Sequence, residues 1–232
     1  MTCRNTVLAL LTAAALGVTF SSAVMAAPEG EMKDPKAMTP KHEMKEAAVA
    51  KVGEKAPEFS LTDTDGKTVK LSDLLADKST KAVVIEWFNP ECPFVKKQYE
   101  KNTTMPDTYK MFKDKGVKWV AINSGAAGKE GAGKDVSAKA KASWKIEYPI
   151  LIDESGVVGM AYGAKHTPTM YIVNKDGTLA YAGGIDNNKS MDKPGDKNYI
   201  KLALEDILAG KKVATANSDA YGCSVKYAEA KK

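Results

Sequence analysis

The chain has 232 residues, of which 44% are hydrophobic and 27% charged, proportions that exclude general disorder, collagen-like repeats and a polytopic membrane protein. Its formal charge of +5 comes almost wholly from lysines spread along the sequence, with Arg4 the single arginine; a nucleic-acid footprint would need those charges clustered. Three cysteines are too few for a disulfide-dense miniprotein.

Residues 1–26 begin with a positive end at Arg4, continue through an uncharged apolar run from Val7 to Phe20, and finish in Val24-Met25-Ala26. This is the layout of a secretory signal cut near Ala26. The apolar run is shorter than the roughly 20 residues a spanning helix needs, and no later segment approaches that length. Cleavage would remove Cys3 and Arg4, leaving Cys92 and Cys223 and no arginine, in the periplasm or outside the cell, where thiols can pair. Residues 27–50 hold no aromatic residue and are expected to be a flexible linker. Met32, Met38, His42 and Met44 could suggest soft-metal ligands, but their spacing is irregular, and no metal is assigned.

From residue 51 the pattern becomes that of a folded domain, expected to run to 227. Short β-rich runs flank Asp63-Thr64-Asp65-Gly66, a hairpin signal, and Ser72 to Leu75 starts a short helix. Ala82 to Phe88 is nearly continuous apolar sequence, as in a strand covered on both faces. Helices are expected over Pro93–Glu100 and about Asp107–Lys115, with a break between them. A strand over Val117–Asn123, a glycine loop, a helix near Val136–Trp144, a strand over Ile150–Ile152 and a helix over Val157–Tyr162 follow. Thr169–Val173 and Thr178–Ala182 form a second hairpin around Asp176-Gly177. Tyr199–Leu208 has helical spacing and stops before Gly210. This order implies an α/β sandwich with a mixed central sheet, an N-terminal β-hairpin extension and a C-terminal tail.

The stretch Trp87-Phe88-Asn89-Pro90-Glu91-Cys92-Pro93 carries the chemistry. A buried strand ends, a turn follows, and Pro93 suits a first helical position. Cys92 is therefore placed at a helix N-terminus, where free backbone amides and the helix dipole favour a thiolate. The alternative is a small buried hydrophobe, which free cysteine often is.

With Val83 to Phe88 running into Glu91-Cys92-Pro93-Phe94-Val95-Lys96-Lys97, then Thr167-Pro168-Thr169, Tyr181 to Asp186 and Tyr221 to Lys226, the sequence resembles the thioredoxin-like superfamily. It is similar to the exported redoxin branch that includes relatives of alkyl hydroperoxide reductase. The resemblance implies a thioredoxin-like fold and assigns roles. Cys92 matches the attacking cysteine. Pro168 matches the cis-proline beside it, with the Thr167 backbone and Pro93 next to the substrate. Glu86, six residues before Cys92, matches a buried acid that exchanges a proton with the thiol; it could equally be a structural acid paired with a lysine.

Two departures qualify the implied activity. Val95 stands where a C-x-x-C motif has its second cysteine. Asn89 and Ile85 stand where peroxide-reducing relatives carry a hydroxyl residue and a proline, and the processed chain lacks their arginine. The expected activity is thus thiol–disulfide oxidoreduction, using protein or small-molecule thiols and disulfides as partners. No cofactor, nucleic acid or, once the signal is removed, membrane is involved. A peroxiredoxin-like antioxidant and a non-catalytic binding module are the alternatives. The resemblance extends to Gly222-Cys223-Ser224-Val225-Lys226, so the tail is expected to fold back and let Cys223 resolve Cys92; the alternatives are an exposed thiol that pairs two chains or a packed residue.

Other motifs are set aside. Gly128 to Asp135 nearly spells a phosphate loop but ends in a carboxylate, and is expected to be a mobile surface loop. His166, the one histidine of the domain, could reach Cys92 as a base or face away from it. Asp153-Glu154 is expected to be an exposed turn.

Overall fold

The computed structural model describes residues 49–229. The signal segment at 1–26 and almost all of the linker at 27–50 lie outside the described residues. The chain order is β1 (Ser60–Asp63), β2 (Thr68–Lys70), α1 (Leu71–Ala76), β3 (Ala82–Trp87) and α2 (Pro93–Lys96), which continues as a π-helical turn, Lys97–Lys101. Then come α3 (Thr104–Phe112), a 3-10 turn at Lys113–Lys115, β4 (Val117–Asn123), α4 (Lys134–Ser143), β5 (Ile150–Ile152) and α5 (Val157–Tyr162). The last elements are β6 (His166–Thr167), β7 (Thr169–Asn174), β8 (Leu179–Gly183), α6 (Tyr199–Leu208) and β9 (Cys223–Ser224).

Seven strands form one mixed sheet in the order β2-β1-β5-β4-β3-β7-β8. Strands β3, β4 and β5 are parallel neighbours, and β7, β8, β1 and β2 join antiparallel. Every residue of β3 is buried, which is why its sequence is a continuous apolar run: a central strand has no solvent face. Its side chains still alternate. Ala82 and Val84 face a core with Phe88, Met105, Phe112, Ile200 and Leu204; Val83, Ile85 and Trp87 face a second core with Leu71, Tyr162, Tyr171 and Leu179. Val84 and Ile85 are 0% exposed, and each such side chain stabilises the fold by about 1.5–3 kcal/mol.

The mixed α/β sandwich is the expected one. Helix α3 starts earlier than expected, at Thr104, because Pro106 falls in its first turn, where a missing amide costs nothing. Two further differences lie at the same end of the sheet. Asp153 is 1% exposed rather than in an exposed turn. Its carboxylate accepts bonds from Ser124 Oγ at 2.6 Å and the Gly159 amide at 2.9 Å, so it organises the start of α5, while Glu154 alone is exposed. The 128–135 loop is pinned instead of free. Asn89 Nδ2 donates to the Glu130 carbonyl at 3.0 Å, and Asn123 Nδ2 to the buried Gly131 carbonyl at 2.7 Å.

Candidate active site

Cys92 is the N-cap of α2, with extended backbone, and its carbonyl accepts from the Val95 and Lys96 amides at 3.0 and 2.9 Å. Pro93 occupies the first helical turn and is exposed. The turn into the helix is set by Asn89, whose Oδ1 accepts from the Glu91 amide at 2.8 Å while its carbonyl accepts from the Cys92 amide at 3.1 Å. This places the sulfur at the end of the central strand, facing the core of α3 and α6.

The second wall of the site is the segment around a cis peptide bond, Thr167–Pro168, buried at both residues. The Thr167 carbonyl lies 3.0 Å from Cys92 Sγ. The third wall is the chain's own tail. Strand β9 pairs antiparallel with β6, setting Cys223 opposite Thr167 and Ser224 opposite His166. The Val225 amide donates to the Lys165 carbonyl at 3.0 Å, and the Ala126 amide to the Lys226 carbonyl at 2.8 Å. Together these contacts bring Cys223 Sγ to 2.7 Å from Cys92 Sγ, across 131 residues of sequence. Both are free thiols, Cys92 buried and Cys223 half-buried. Cys92 is only 2% exposed.

Burial pushes the Cys223 thiol up to about 12, aided by the hydrogen bond and charge of Cys92; Lys226 and the Phe94 amide act the other way. Cys223 therefore holds its proton near neutral pH.

Glu86 projects from β3 and is 0% exposed. Its Oε2 accepts from Tyr99 Oη at 2.5 Å and Tyr148 Oη at 3.3 Å, the two hydroxyls standing 2.6 Å apart. Its Oε1 is buried without a hydrogen-bond partner among the described residues. Burial raises its pKa to about 7, opposed by the two tyrosine hydrogen bonds. Its hydrogen-bond partners are tyrosines, and among the described residues no lysine pairs with it, unlike the alternative of a structural acid paired with a lysine. It hydrogen-bonds to neither sulfur. The half-buried His166 also makes no side-chain hydrogen bond to them.

Four residues beside the site received no role from sequence reasoning: Lys97, Gln98, Asp186 and Tyr221. All are buried and joined through the Tyr221 hydroxyl. A lysine and a glutamine after a helix start look like solvent-facing residues. The π-helical turn, the loop after β8 and the returning tail enclose them. Among the described residues no group of three or more His, Cys, Asp or Glu side chains could hold a metal ion, and no helix is long and apolar enough to cross a membrane.

Comparison with known proteins places this geometry among relatives. The model of the AhpC/TSA family matches residues 52–182. Thiol-disulfide oxidoreductase ResA of Bacillus subtilis (strain 168) is 32% identical over 127 residues, 55% of this chain and 64% of that protein. The chain thus spans a little under two thirds of that relative's length. Among solved structures, an uncharacterized conserved protein from Geobacillus kaustophilus superposes with a TM-score of 0.69 at 31% identity, covering 79% of this chain and 96% of that one. The thioredoxin domain of a thiol-disulfide oxidoreductase from Bacteroides vulgatus gives 0.51 at 19% identity, over 69% and 98% of the two chains, a likeness of fold. The family match ends before the tail that carries Cys223.

Proposed function

The chain belongs to the AhpC/TSA family, and from that premise we propose that it is a thiol–disulfide oxidoreductase that attacks through Cys92 and is resolved by Cys223. The observation that carries this reading is the 2.7 Å approach of the two sulfurs, at a helix N-cap and beside Thr167-Pro168. The kinship with a thiol-disulfide oxidoreductase supports it.

The Cys92 thiolate attacks a substrate disulfide RSSR, forming Cys92–SR and releasing RS⁻. Cys223 then loses its proton and attacks the Cys92 sulfur, releasing the second RS⁻ and closing Cys92–Cys223. The substrate gains two electrons and the thiol pair loses two; an external thiol donor reverses the exchange. Thr167, Pro168 and Pro93 form the rim a substrate meets. Glu86 is the buried proton reservoir of the site. Its bonds to Tyr99 and Tyr148 mean that proton exchange with the sulfurs requires an intervening water or a side-chain movement.

Peroxide is a poor substrate on this reading. Asn89 spends both ends of its carboxamide on the Glu91 amide and the Glu130 carbonyl, leaving it no group to polarise a peroxide. The domain, residues 51–227, works outside the cytoplasm after a signal at 1–26 is cut, and protein or small-molecule thiols are its partners.

Non-reducing peptide mapping of air-oxidised protein tests the pairing, together with insulin reduction driven by a dithiol. A Cys92–Cys223 peptide from monomeric protein and turnover lost in Cys92→Ser are expected. Two free thiols after oxidation, or rapid peroxide consumption without disulfide reduction, would overturn the reading.

A further inference from the structure

Tyr221 stands two residues before Cys223 and is 6% exposed. Its ring packs edge-on against Phe94 of α2, centroids 5.8 Å apart. Its hydroxyl donates to Asp186 Oδ1 at 2.5 Å and accepts from Gln98 Nε2 at 3.1 Å. Lys97 Nζ, on a side chain with no exposure, lies 3.4 Å from that hydroxyl, 4.0 Å from Asp186 Oδ2 and 2.7 Å from the Asn188 carbonyl, which accepts from it. Asp186 is fixed in turn, its Oδ1 and Oδ2 accepting from the Asn188 and Gly195 amides at 3.0 Å each. One buried polar cluster thus joins the π-helical turn behind Cys92, the loop after β8 and the tail that delivers Cys223.

The tail covers what it serves. Cys92 is 2% exposed because β9 lies over it along Thr167, so a substrate disulfide reaches the sulfur only when residues 221–224 lift. Resolution needs the opposite, with the tail docked and Cys223 in place. A contact whose strength sets the balance between these states governs both access and resolution. The aromatic and polar contacts of Tyr221 are such a contact, because they hold the tail to the same helix that presents Cys92.

We propose that Tyr221 is a positioning residue, a latch that binds the tail through Asp186, Gln98 and Lys97, holds Cys223 on Cys92, and must release before substrate enters. The proposal rests on the Cys92–Cys223 reading given above and adds the element that times it.

Tyr221→Phe keeps the ring against Phe94 and deletes the hydroxyl. With Cys223 replaced by alanine, alkylation of Cys92 by iodoacetamide in folded protein is expected to rise about tenfold, the equilibrium worth of one hydrogen bond to a charged acceptor. With Cys223 present, a glutathione adduct on Cys92 occupies the place of the tail and makes the docked state the minor one, so resolution of that adduct, followed by acid quench and mass spectrometry, is expected to slow by a similar factor. General destabilisation would raise alkylation without slowing resolution, so opposite changes in the two rates identify a latch. Gln98→Ala removes one partner of the same hydroxyl and gives smaller shifts of the same sign; it stands in if Tyr221→Phe fails to fold. Unchanged rates in a folded variant overturn the proposal, as does faster alkylation with unchanged resolution. If the wild-type adduct never resolves, the Cys223 reading has failed, while the alkylation comparison still reports on the latch.

Discussion

The two halves of the thiol pair are held in different ways. Cys92 sits where the fully buried central strand passes into a helix, packed in the core of α3 and α6, and cannot be displaced without disturbing that packing. Cys223 belongs to a strand of two residues paired to another strand of two, outside the seven-stranded sheet and beyond the family match. It is kept in register by local bonds: Tyr221 to Asp186, Val225 to Lys165, and Tyr227 Oη to the Ala164 carbonyl at 2.7 Å. On the proposed reading, a fixed attacking sulfur and a movable resolving one suit an exchange in which a substrate must come between them. A C-x-x-C motif puts both sulfurs on one helix. Here Val95 takes the second position and is 0% exposed in the core, so on the proposed reading it is the tail that moves.

The sharpest break of that contrast is to remove each sulfur in turn. Cys92→Ser is expected to lower disulfide-reduction turnover by at least about a thousandfold, as loss of a covalent nucleophile does. Cys223→Ser is expected to retain the first attack and accumulate a Cys92 mixed disulfide, seen as an added substrate mass that persists after turnover stops. Equal loss of the attack step in both variants would contradict the division of roles. Next in size is the stability of the oxidised form. Closing a loop across the 131-residue separation restricts the unfolded chain by about 5 kcal/mol in the chain-entropy model. Urea midpoints with and without a dithiol should separate accordingly in wild type and coincide in Cys223→Ser.

What the sequence made legible follows the same division. The β3 strand and the helix after Pro93 are written in local signals, namely an apolar run and an N-terminal proline, so the place of Cys92 is read directly from them. The tail carries no such signal. Two-residue strands have no period to detect, and the pairing of Cys223 with Cys92 follows from the count of cysteines in an exported chain and from family resemblance, not from local pattern. Lys97 and Gln98 look solvated by type and become buried only through partners far along the chain, Asp186 and Tyr221. The 128–135 loop looks mobile by composition, yet two asparagine carboxamides fasten it, and the buried carboxylate of Asp153 replaces an expected exposed turn. Long-range hydrogen bonds leave little trace in local sequence.

Glu86 gives a test confined to the fixed half. Its pKa is raised from 4.5 to about 7 by burial, so the folded state binds a proton more tightly than the unfolded chain does. Stability from this group is therefore fully present below the unfolded value of about 4.5, falls as pH rises toward about 7, and levels off above it. The span corresponds to up to roughly 3 kcal/mol. Glu86→Gln should flatten this slope and be more stable than wild type at pH 8, measured by urea unfolding across pH. A parallel slope in the variant would remove Glu86 as its source. The Tyr221→Phe variant should keep the wild-type slope, because the tail cluster shares no hydrogen bond with Glu86, Tyr99 or Tyr148.

The smallest expected effect on stability compares one substitution in both regions. Gly131 has φ +70, and a Cβ there would meet Asn89 Oδ1 at 1.8 Å. Gly222 has φ +137, and a Cβ would meet the Thr167 carbonyl oxygen at 2.0 Å. Both positions resist a side chain, through backbone strain and through contact. Gly131→Ala strains the turn that carries Cys92, and its cost, about 1–3 kcal/mol, should appear in global unfolding because that turn belongs to the sheet. Gly222→Ala pushes β9 away from β6, and the tail can yield by undocking. Its cost in global unfolding of the reduced protein should be under about 1 kcal/mol, while Cys92 becomes more readily alkylated and its mixed disulfides last longer. Equal unfolding costs for the two variants would mean that the tail is as integral to the fold as the strand that holds Cys92.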